Sequence, residues 1–270
     1  PAGHPVKVYA LDRATGELRW VFDRVKESVV GGPTAEGEVV YVTSADRSVH
    51  ALNLQSGQPV WPKPFETGGW VWSSAVRGDD RLFFGSMDHS VYALQAADGR
   101  LVWRFATVGA VPGTPLVSGG RVFAGDVSNR LYAIDAQTGD GKVLFTAKGW
   151  VWGQPILAGD TLYVSSLDHH VYALNATTGE SLWSFATQGP VRAGPVLVGD
   201  TLYVASEDQR LYAVDVRTHG QLWAYDAKGP LLASPAVAGE SIYGVTSNGK
   251  VFALDARTGN QRWVYPSQSK

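Results

Sequence analysis

Apolar and polar residues alternate over short runs along the whole chain, and clusters of Gly, Asp and Ser separate the runs. Residues 195–227, PVLVGDTLYVASEDQRLYAVDVRTHGQLWAYDA, contain four such runs. A two-residue alternation is typical of strands with one buried face, and no stretch of ten or more residues shows the 3.6-residue period of a packed helix. The pattern predicts units of four short antiparallel strands joined by tight turns.

An eleven-residue segment recurs in register along the chain. Its first copy is ALDRATGELRW, residues 10–20, and a degenerate copy from Ala133 places Val143 where the others have tryptophan. The six copies that keep the tryptophan end at Trp20, Trp61, Trp103, Trp183, Trp223 and Trp263. A second landmark upstream of each full copy falls at Pro33, Ala75, Pro115, Pro155, Pro195 and Pro235. Two landmarks with one period of about forty residues predict the four-stranded blades of an all-β propeller.

The turn chemistry supports this assignment. In residues 12–16 an Asp side chain can accept N–H groups two and three residues on, while Gly16 supplies the positive φ that closes a hairpin. His219 replaces that glycine in the sixth copy, which predicts a strained or shifted turn there. His50 stands where the other units have Tyr or Phe, and we interpret it as a core substitution.

The pattern Ala-x-Asp-x-x-x-Gly-x-x-x-Trp resembles the tryptophan-docking motif of the PQQ-type repeat propellers, a family that includes quinoprotein alcohol dehydrogenases and the outer-membrane assembly lipoprotein BamB. The resemblance extends over residues 6–265. It implies that this range forms one propeller domain, between a linker at 1–5 and a tail at 266–270. It also implies that the six motif tryptophans are structural and pack between neighbouring blades.

Six complete units can be counted from the second landmark, and residues 6–22 supply only the third and fourth strands of another. The complete units are 33–65, 75–105, 115–145, 155–185, 195–225 and 235–265. Either a six-blade ring closes beside an extra hairpin, or a larger ring of seven or more blades lacks strands. Because an isolated hairpin is only marginally stable, we expect residues 6–22 to complete a blade or to pair with a neighbouring molecule.

Composition narrows the classes of function. The net charge is −2 and the chain has no cysteine. The small net charge argues against a nucleic-acid partner, the lack of an apolar run of about 18 residues argues against membrane insertion by this chain, and the lack of cysteine argues against a disulfide or a zinc–thiolate site. No cofactor is expected to be required. The only Met is Met87, so the first printed residue is expected to result from processing or from the choice of expressed segment.

Comparison of the units with one another separates what the fold requires from what varies. Four tryptophans lie outside the repeated motif, in two of the connections between units: Trp70, Trp72, Trp150 and Trp152. Arg192 occupies the matching connection of a later unit. These connections precede the first strand of each blade, which lines the channel of a propeller, so the residues are expected near the channel mouth. They either bind a protein, a peptide or a small planar ligand, or they fill the space between blades.

His89 and His169 occupy equivalent second-to-third-strand turns in non-adjacent units. They are candidate ligand-binding or pH-sensitive residues, and exposed turn residues are the alternative. No metal site and no catalytic residue is predicted.

Three functions remain open. The first is a non-catalytic scaffold for protein binding, of the BamB type and outside the cytoplasm, in the periplasm or at the cell surface. The second is a sensor domain of a bacterial receptor Ser/Thr kinase, for which the resemblance offers PQQ as ligand. The third is a quinoprotein dehydrogenase, which the resemblance associates with an adjacent cysteine pair that this chain lacks.

Overall fold

A computed structural model describes residues 6–266, so the expected linker at 1–5 and all of the expected tail except Pro266 lie outside the described residues. Between 6 and 266 the regular secondary structure consists of β-strands. A two-stranded sheet comes first, formed by β1 (Val8–Leu11) and β2 (Leu18–Phe22). Six four-stranded antiparallel sheets follow, each built from four consecutive strands in sequence order.

The strands of these six sheets match the repeats identified from the sequence to within one residue. The first sheet comprises β3 (Thr34–Glu36), β4 (Val39–Thr43), β5 (Ser48–Asn53) and β6 (Phe65–Glu66), and the second β7 (Val76–Gly78), β8 (Arg81–Ser86), β9 (Ser90–Gln95) and β10 (Leu101–Ala106). The third comprises β11 (Leu116–Ser118), β12 (Arg121–Gly125), β13 (Arg130–Asp135) and β14 (Gly141–Thr146), and the fourth β15 (Ile156–Ala158), β16 (Thr161–Ser166), β17 (His170–Asn175) and β18 (Ser181–Ala186). The fifth comprises β19 (Val196–Val198), β20 (Thr201–Ala205), β21 (Arg210–Asp215) and β22 (Gln221–Asp226), and the sixth β23 (Ala236–Ala238), β24 (Ser241–Val245), β25 (Val251–Asp255) and β26 (Gln261–Tyr265).

This is the strand architecture of a multi-blade β-propeller with six full repeats and an N-terminal half repeat, and the fold prediction is confirmed. One blade is irregular: β6 has only two residues, because Pro59, Pro62 and Pro64 cannot donate to the strand ladder. The chain divides into two compact units, residues 6–126 with 132–142 and residues 127–131 with 143–266. That residues 6–265 form one domain stays a prediction.

The third-to-fourth-strand hairpins form as the sequence predicts. In the first of them, Asp12 Oδ1 accepts the N–H groups of Ala14 at 2.8 Å and Thr15 at 3.0 Å, and Gly16 has φ +74°. His219 adopts φ +60° in the sixth copy, so the prediction of a strained turn is confirmed. Its ring stacks on Trp183 at a centroid distance of 4.7 Å.

Three of the motif tryptophans, Trp20, Trp61 and Trp103, dock on the hairpin of the following blade, whereas Trp263 in the last sheet is 45% exposed, so the expectation that all six pack between blades is wrong for Trp263. The indole N–H of Trp61 donates to the carbonyl oxygen of Ala96 at 3.0 Å, and a Cβ added to Gly99 would lie 2.7 Å from Cδ2 of the same ring. Trp20 makes the same contacts with Leu54 and Gly57, and Trp103 with Ala136 and Gly139. Glycine at this turn therefore provides both the positive φ and the space for the indole.

For hairpin β1–β2, the first of the two expected outcomes, completion of a blade, is not seen within residues 6–266, and pairing with a neighbouring molecule stays a prediction. Among the described residues it remains a two-stranded sheet. One face is covered, because Val8 and Phe22 pack with Val40, Val42 and Leu52 of the first four-stranded sheet. Burial of this apolar face, rather than added strands, stabilises the hairpin.

We predict that Gly99→Ala destabilises the protein more than Gly16→Ala does. Both glycines have φ near +75°, so both substitutions carry about 1 kcal/mol of backbone strain. Only at Gly99 does the added methyl meet a docked indole, whereas nothing lies within 4 Å of the corresponding position at Gly16. Displacing Trp61 adds roughly 1–3 kcal/mol, which urea denaturation of the two variants measures directly. Equal losses would show that the indole does not depend on this space.

Candidate functional site

The two ends of each blade differ in the turns and connections that they carry. At the hairpin end, the third-to-fourth-strand hairpin bonds to the first-to-second-strand turn, as in Ala96 N–H to Asp80 O at 2.9 Å. At the opposite end, which we call the connection end, the second-to-third-strand turn bonds to the segment that enters the blade. There the N–H of Met87 donates to the carbonyl of Trp70 at 2.8 Å.

The connection end has the same backbone frame in successive blades. The bond from the turn to the connection recurs as Leu167 to Trp150 and as Glu207 to Pro190, both at 2.9 Å. The next residue of each connection is buried, as Val71 and Val191 are. Residues on either side of it share the other face, because side chains two apart in an extended segment point the same way. A fixed frame thus presents two variable side chains per blade.

In the first compact unit these two side chains are Trp70 and Trp72. Their rings stack with centroids 5.6 Å apart and planes 18° from parallel, and 52% of Trp70 is exposed. They border a surface cavity of about 1030 Å³. Its other lining residues include Lys26, Glu27, Val30, Arg47, Glu66 and Met87. The cavity therefore combines an aromatic wall with charges of both signs.

In the second compact unit the corresponding pair is Trp150 and Trp152. Their ring centroids lie 6.2 Å apart with planes 24° from parallel, and 44% of Trp150 is exposed. The guanidinium carbon of Arg192 lies 4.5 Å from the centroid of the Trp152 ring, and its Nε donates to Glu207 Oε1 at 2.9 Å. The structure thus brings three of the predicted site residues into one cluster, here called the Arg192 cluster.

Aspartates of the second-to-third-strand turns fix the connections in place. Asp88 Oδ2 accepts the N–H of Gly68 at 2.8 Å and the hydroxyl of Tyr92 at 2.6 Å. Asp168 does the same for Lys148 and Tyr172. Burial, together with the hydrogen bond to Asp88, raises the pKa of Tyr92 to about 12. The connection that carries each indole pair is therefore anchored two residues before the first indole, which lowers the ordering cost of binding.

His89 and His169 occupy left-handed turn positions, with φ +62° and +73°. Their side chains are exposed, and their carbonyl groups accept the N–H groups of Thr107 and Thr187. Position and backbone bonds agree with the exposed-turn alternative. Within the described part of the chain, no group of three His, Cys, Asp or Glu side chains is placed to hold a metal ion. Between residues 6 and 266 no helix has the length and apolar character needed to span a membrane.

His50 is buried, as its interpretation as a core substitution requires. Ser48 donates its hydroxyl to Asp46, so the Nε2–H of His50 donates to Ser48 Oγ at 2.8 Å. In this order the serine lies between the other two groups, whereas a nucleophilic triad needs the histidine in the middle to accept the serine proton. In this blade the hydrogen-bonded series Asp46–Ser48–His50 takes the place of the direct hydrogen bond between Asp and Tyr side chains in other blades, and its role is structural.

We predict that His50→Tyr makes the protein less sensitive to acid. Burial lowers the pKa of His50 below its ordinary value of 6.5, so the unfolded chain binds a proton before the folded chain does. The stability that neutral His50 contributes is present above pH 6.5 and is lost as the pH falls through its folded pKa. Urea unfolding at pH 7.5 and pH 5 should show the variant gaining on the wild type as the pH falls. A constant difference would contradict this.

Sequence reasoning missed Glu207, which holds Arg192, and Met87, which lies beside Trp70. Both residues follow a buried serine, Ser86 as the last residue of β8 and Ser206 directly after β20. The same position varies among the units as Ala45, Met87, Val127, Leu167, Glu207 and Ser247. The comparison among units that singled out the tryptophans would have found it. That all these positions gather at a channel mouth stays a prediction.

Comparisons with known proteins agree with this architecture. A BamB of Burkholderia pseudomallei (strain K96243) is 33% identical over 89 residues, which are 33% of this chain and 22% of that protein. Quinohemoprotein alcohol dehydrogenase ADH IIB of Pseudomonas putida is 29% identical over 130 residues, 40% of this chain and 19% of the enzyme. The matched stretches therefore span about a fifth of the length of these relatives.

The crystal structure of BamB from Moraxella catarrhalis superimposes with a TM-score of 0.78 at 20% identity, over 94% of this chain and 79% of that one, which shows the shared fold. The family model described as outer membrane protein assembly factor BamB matches residues 2–64, 47–142 and 140–270. These matches cover more than half of the chain. The chain therefore belongs to the family of PQQ-type repeat propellers that this BamB model describes.

Proposed function

We propose that the chain is a non-catalytic scaffold that binds a protein partner through the connection ends of its blades, outside the cytoplasm. One observation carries the proposal. An invariant backbone frame at the connection ends presents side chains that differ from blade to blade, including the exposed indoles of Trp70 and Trp150. A fold that needed these indoles for packing would bury them and repeat them.

The physical chemistry of the indole pairs supports protein binding. Trp is enriched among the residues that dominate interface energies, because a rigid ring buries a large area with little loss of side-chain entropy. Trp70 and Trp150 stand on connections whose backbone is held by Asp88 and Asp168. Such a surface has less conformational freedom to lose when a partner binds.

Family membership supports the same reading. The relatives include an outer membrane protein assembly factor, and a protein with that task works outside the cytoplasm. They also include a quinohemoprotein dehydrogenase. The adjacent cysteine pair that the resemblance associates with quinone catalysis has no counterpart in this chain, which contains no cysteine. The binding role rests on family membership and on the site together.

Affinity capture tests the proposal. Immobilised wild-type protein and the Trp70→Ala/Trp150→Ala variant are each exposed to an extracytoplasmic extract of the host. Because both indoles are about half exposed, the variant is expected to fold normally, which circular dichroism checks. We expect the wild type to retain a defined protein that the variant loses. Retention of the same proteins by both would contradict a binding role for this surface.

A planar small ligand is the second candidate, favoured by the two stacked indole pairs. PQQ is the ligand that a sensor domain of this family would take. A quinone stacked on Trp70 or Trp150 should quench tryptophan fluorescence saturably. No quenching at high micromolar PQQ, with the fold verified, would remove this candidate and leave the protein scaffold.

A further inference from the structure

Arg192 is held by two contacts that leave the end of its guanidinium unoccupied. The guanidinium lies over the Trp152 ring at 4.5 Å, and Nε is bound to Glu207 at 2.9 Å. No described residue accepts a hydrogen bond from its terminal nitrogens, and 29% of the side chain is exposed. A guanidinium fixed on one edge and one face presents the remaining fork in a defined direction.

The arrangement is specific to one blade. At the position of Arg192, other units have Val30, Trp72, Pro112, Trp152 and Leu232. At the position of Glu207 the blades that carry indole pairs have Met87 and Leu167. The backbone bond from residue 207 to residue 190 is the same as in those blades. The fold therefore does not require this charged pair, and its side chains are available for recognition.

The chemistry of the Arg192 cluster points to a carboxylate. A planar guanidinium fork matches the two oxygens of a carboxylate, and such charge-assisted pairs are the strong polar contacts of interfaces. Trp150, which is 44% exposed and stacks on Trp152, offers an apolar surface in the same cluster as the charge. We propose that the Arg192 cluster binds an acidic side chain next to an aromatic or apolar residue in the partner protein, an inference that rests on the proposed function.

Glu207 has a second role in this assignment. It orients Arg192 through Nε, and its own negative charge also opposes an incoming carboxylate. A neutral glutamine at 207 keeps an oxygen that accepts the Nε–H and removes the repulsion. Glu207→Gln should therefore bind an acidic ligand more tightly than the wild type. A guanidinium that only stabilises the fold would give no such gain.

Two blocked hexapeptides test the proposal. One has a central phenylalanine–aspartate pair flanked by glycine and serine, and the other replaces the aspartate by asparagine. Calorimetric titration of the full chain should show roughly tenfold tighter binding of the acidic peptide, a partly solvent-screened charge-assisted pair. Arg192→Gln should abolish the difference, Arg192→Lys should restore only a small part of it, and Glu207→Gln should enlarge it several-fold.

Arg217→Gln is the matched control. Arg217 also pairs through Nε with a carboxylate, Asp200 at 3.2 Å, but at the hairpin end of the same sheet. The Arg217→Gln substitution should leave the affinities for the acidic and the neutral peptide unchanged. Equal affinity for the two peptides, no binding of either, or discrimination that survives Arg192→Gln would overturn the proposal. If the Trp70→Ala/Trp150→Ala variant still loses its captured partner in that case, the scaffold function stands and the carboxylate inference alone fails.

Discussion

Replacing Trp61 by alanine is expected to lower the free energy of unfolding by about 3–5 kcal/mol. Only 3% of Trp61 is exposed, and its ring packs against Tyr41 and over Gly99. The substitution removes this area from the apolar core and leaves a cavity between two blades. It also leaves the Ala96 carbonyl without the indole donor. Urea denaturation followed by circular dichroism measures the loss.

The matched control is Trp263→Ala. Trp263 is the same motif residue of the sixth sheet, but 45% of it is exposed. Its replacement should cost less than about 1 kcal/mol, in the range of ordinary surface substitutions. If the two variants lost equal stability, docking between blades would not be what the motif tryptophan contributes.

Replacing Trp72 and Trp152 together by alanine is expected to weaken binding of the captured partner by about 2–4 kcal/mol. Each ring stacks on the exposed indole of its pair, and Trp152 also supports Arg192. The substitution therefore removes two anchors and releases the neighbouring side chains that they position. Surface plasmon resonance with the purified partner gives the affinities of wild type and variant.

A parallel measurement of unfolding separates this result from the alternative that the indoles fill space. If they fill space, the variant should lose stability and keep its affinity. Trp263→Ala again provides the control, since it removes a half-exposed indole that lies outside the connections. Its affinity for the partner should equal that of the wild type.

Most of the fold was predictable because its determinants are local and repeated. The Asp side chain at 12 and the glycine at 16 lie four residues apart and act within one turn, so their spacing alone specifies the hairpin. The two-residue alternation of the strands specifies which face is buried. Repetition then identifies the elements that a single unit would leave ambiguous.

The environment of identical residues was not predictable, because it depends on what lies on the next blade. Trp61 and Trp263 occupy the same motif position, yet one is buried and the other half exposed. The hydrogen bond from the Gly68 N–H to Asp88 joins residues 20 apart in the sequence, and no local sequence pattern predicts it. Long-range packing decides such contacts.

The candidate site was predictable as a set of variable positions and not as a geometry. Trp150, Trp152 and Arg192 were identified because the other units carry different residues there. That the guanidinium stacks on one of the rings, and that Glu207 orients it, required coordinates. His89 and His169 were singled out by residue type, and their left-handed φ agrees with the exposed-turn alternative, while a ligand-binding role stays a prediction.

Site-specific photo-cross-linking tests the central claim, that the connection ends form the binding surface. A benzophenone amino acid is placed at position 70 or 150, at the connection ends, and at position 118 or 198, the last residues of strands β11 and β19, at the hairpin ends. In the native host we expect covalent adducts with one protein from positions 70 and 150 and none with it from 118 and 198. Adducts from the hairpin ends alone would contradict the account.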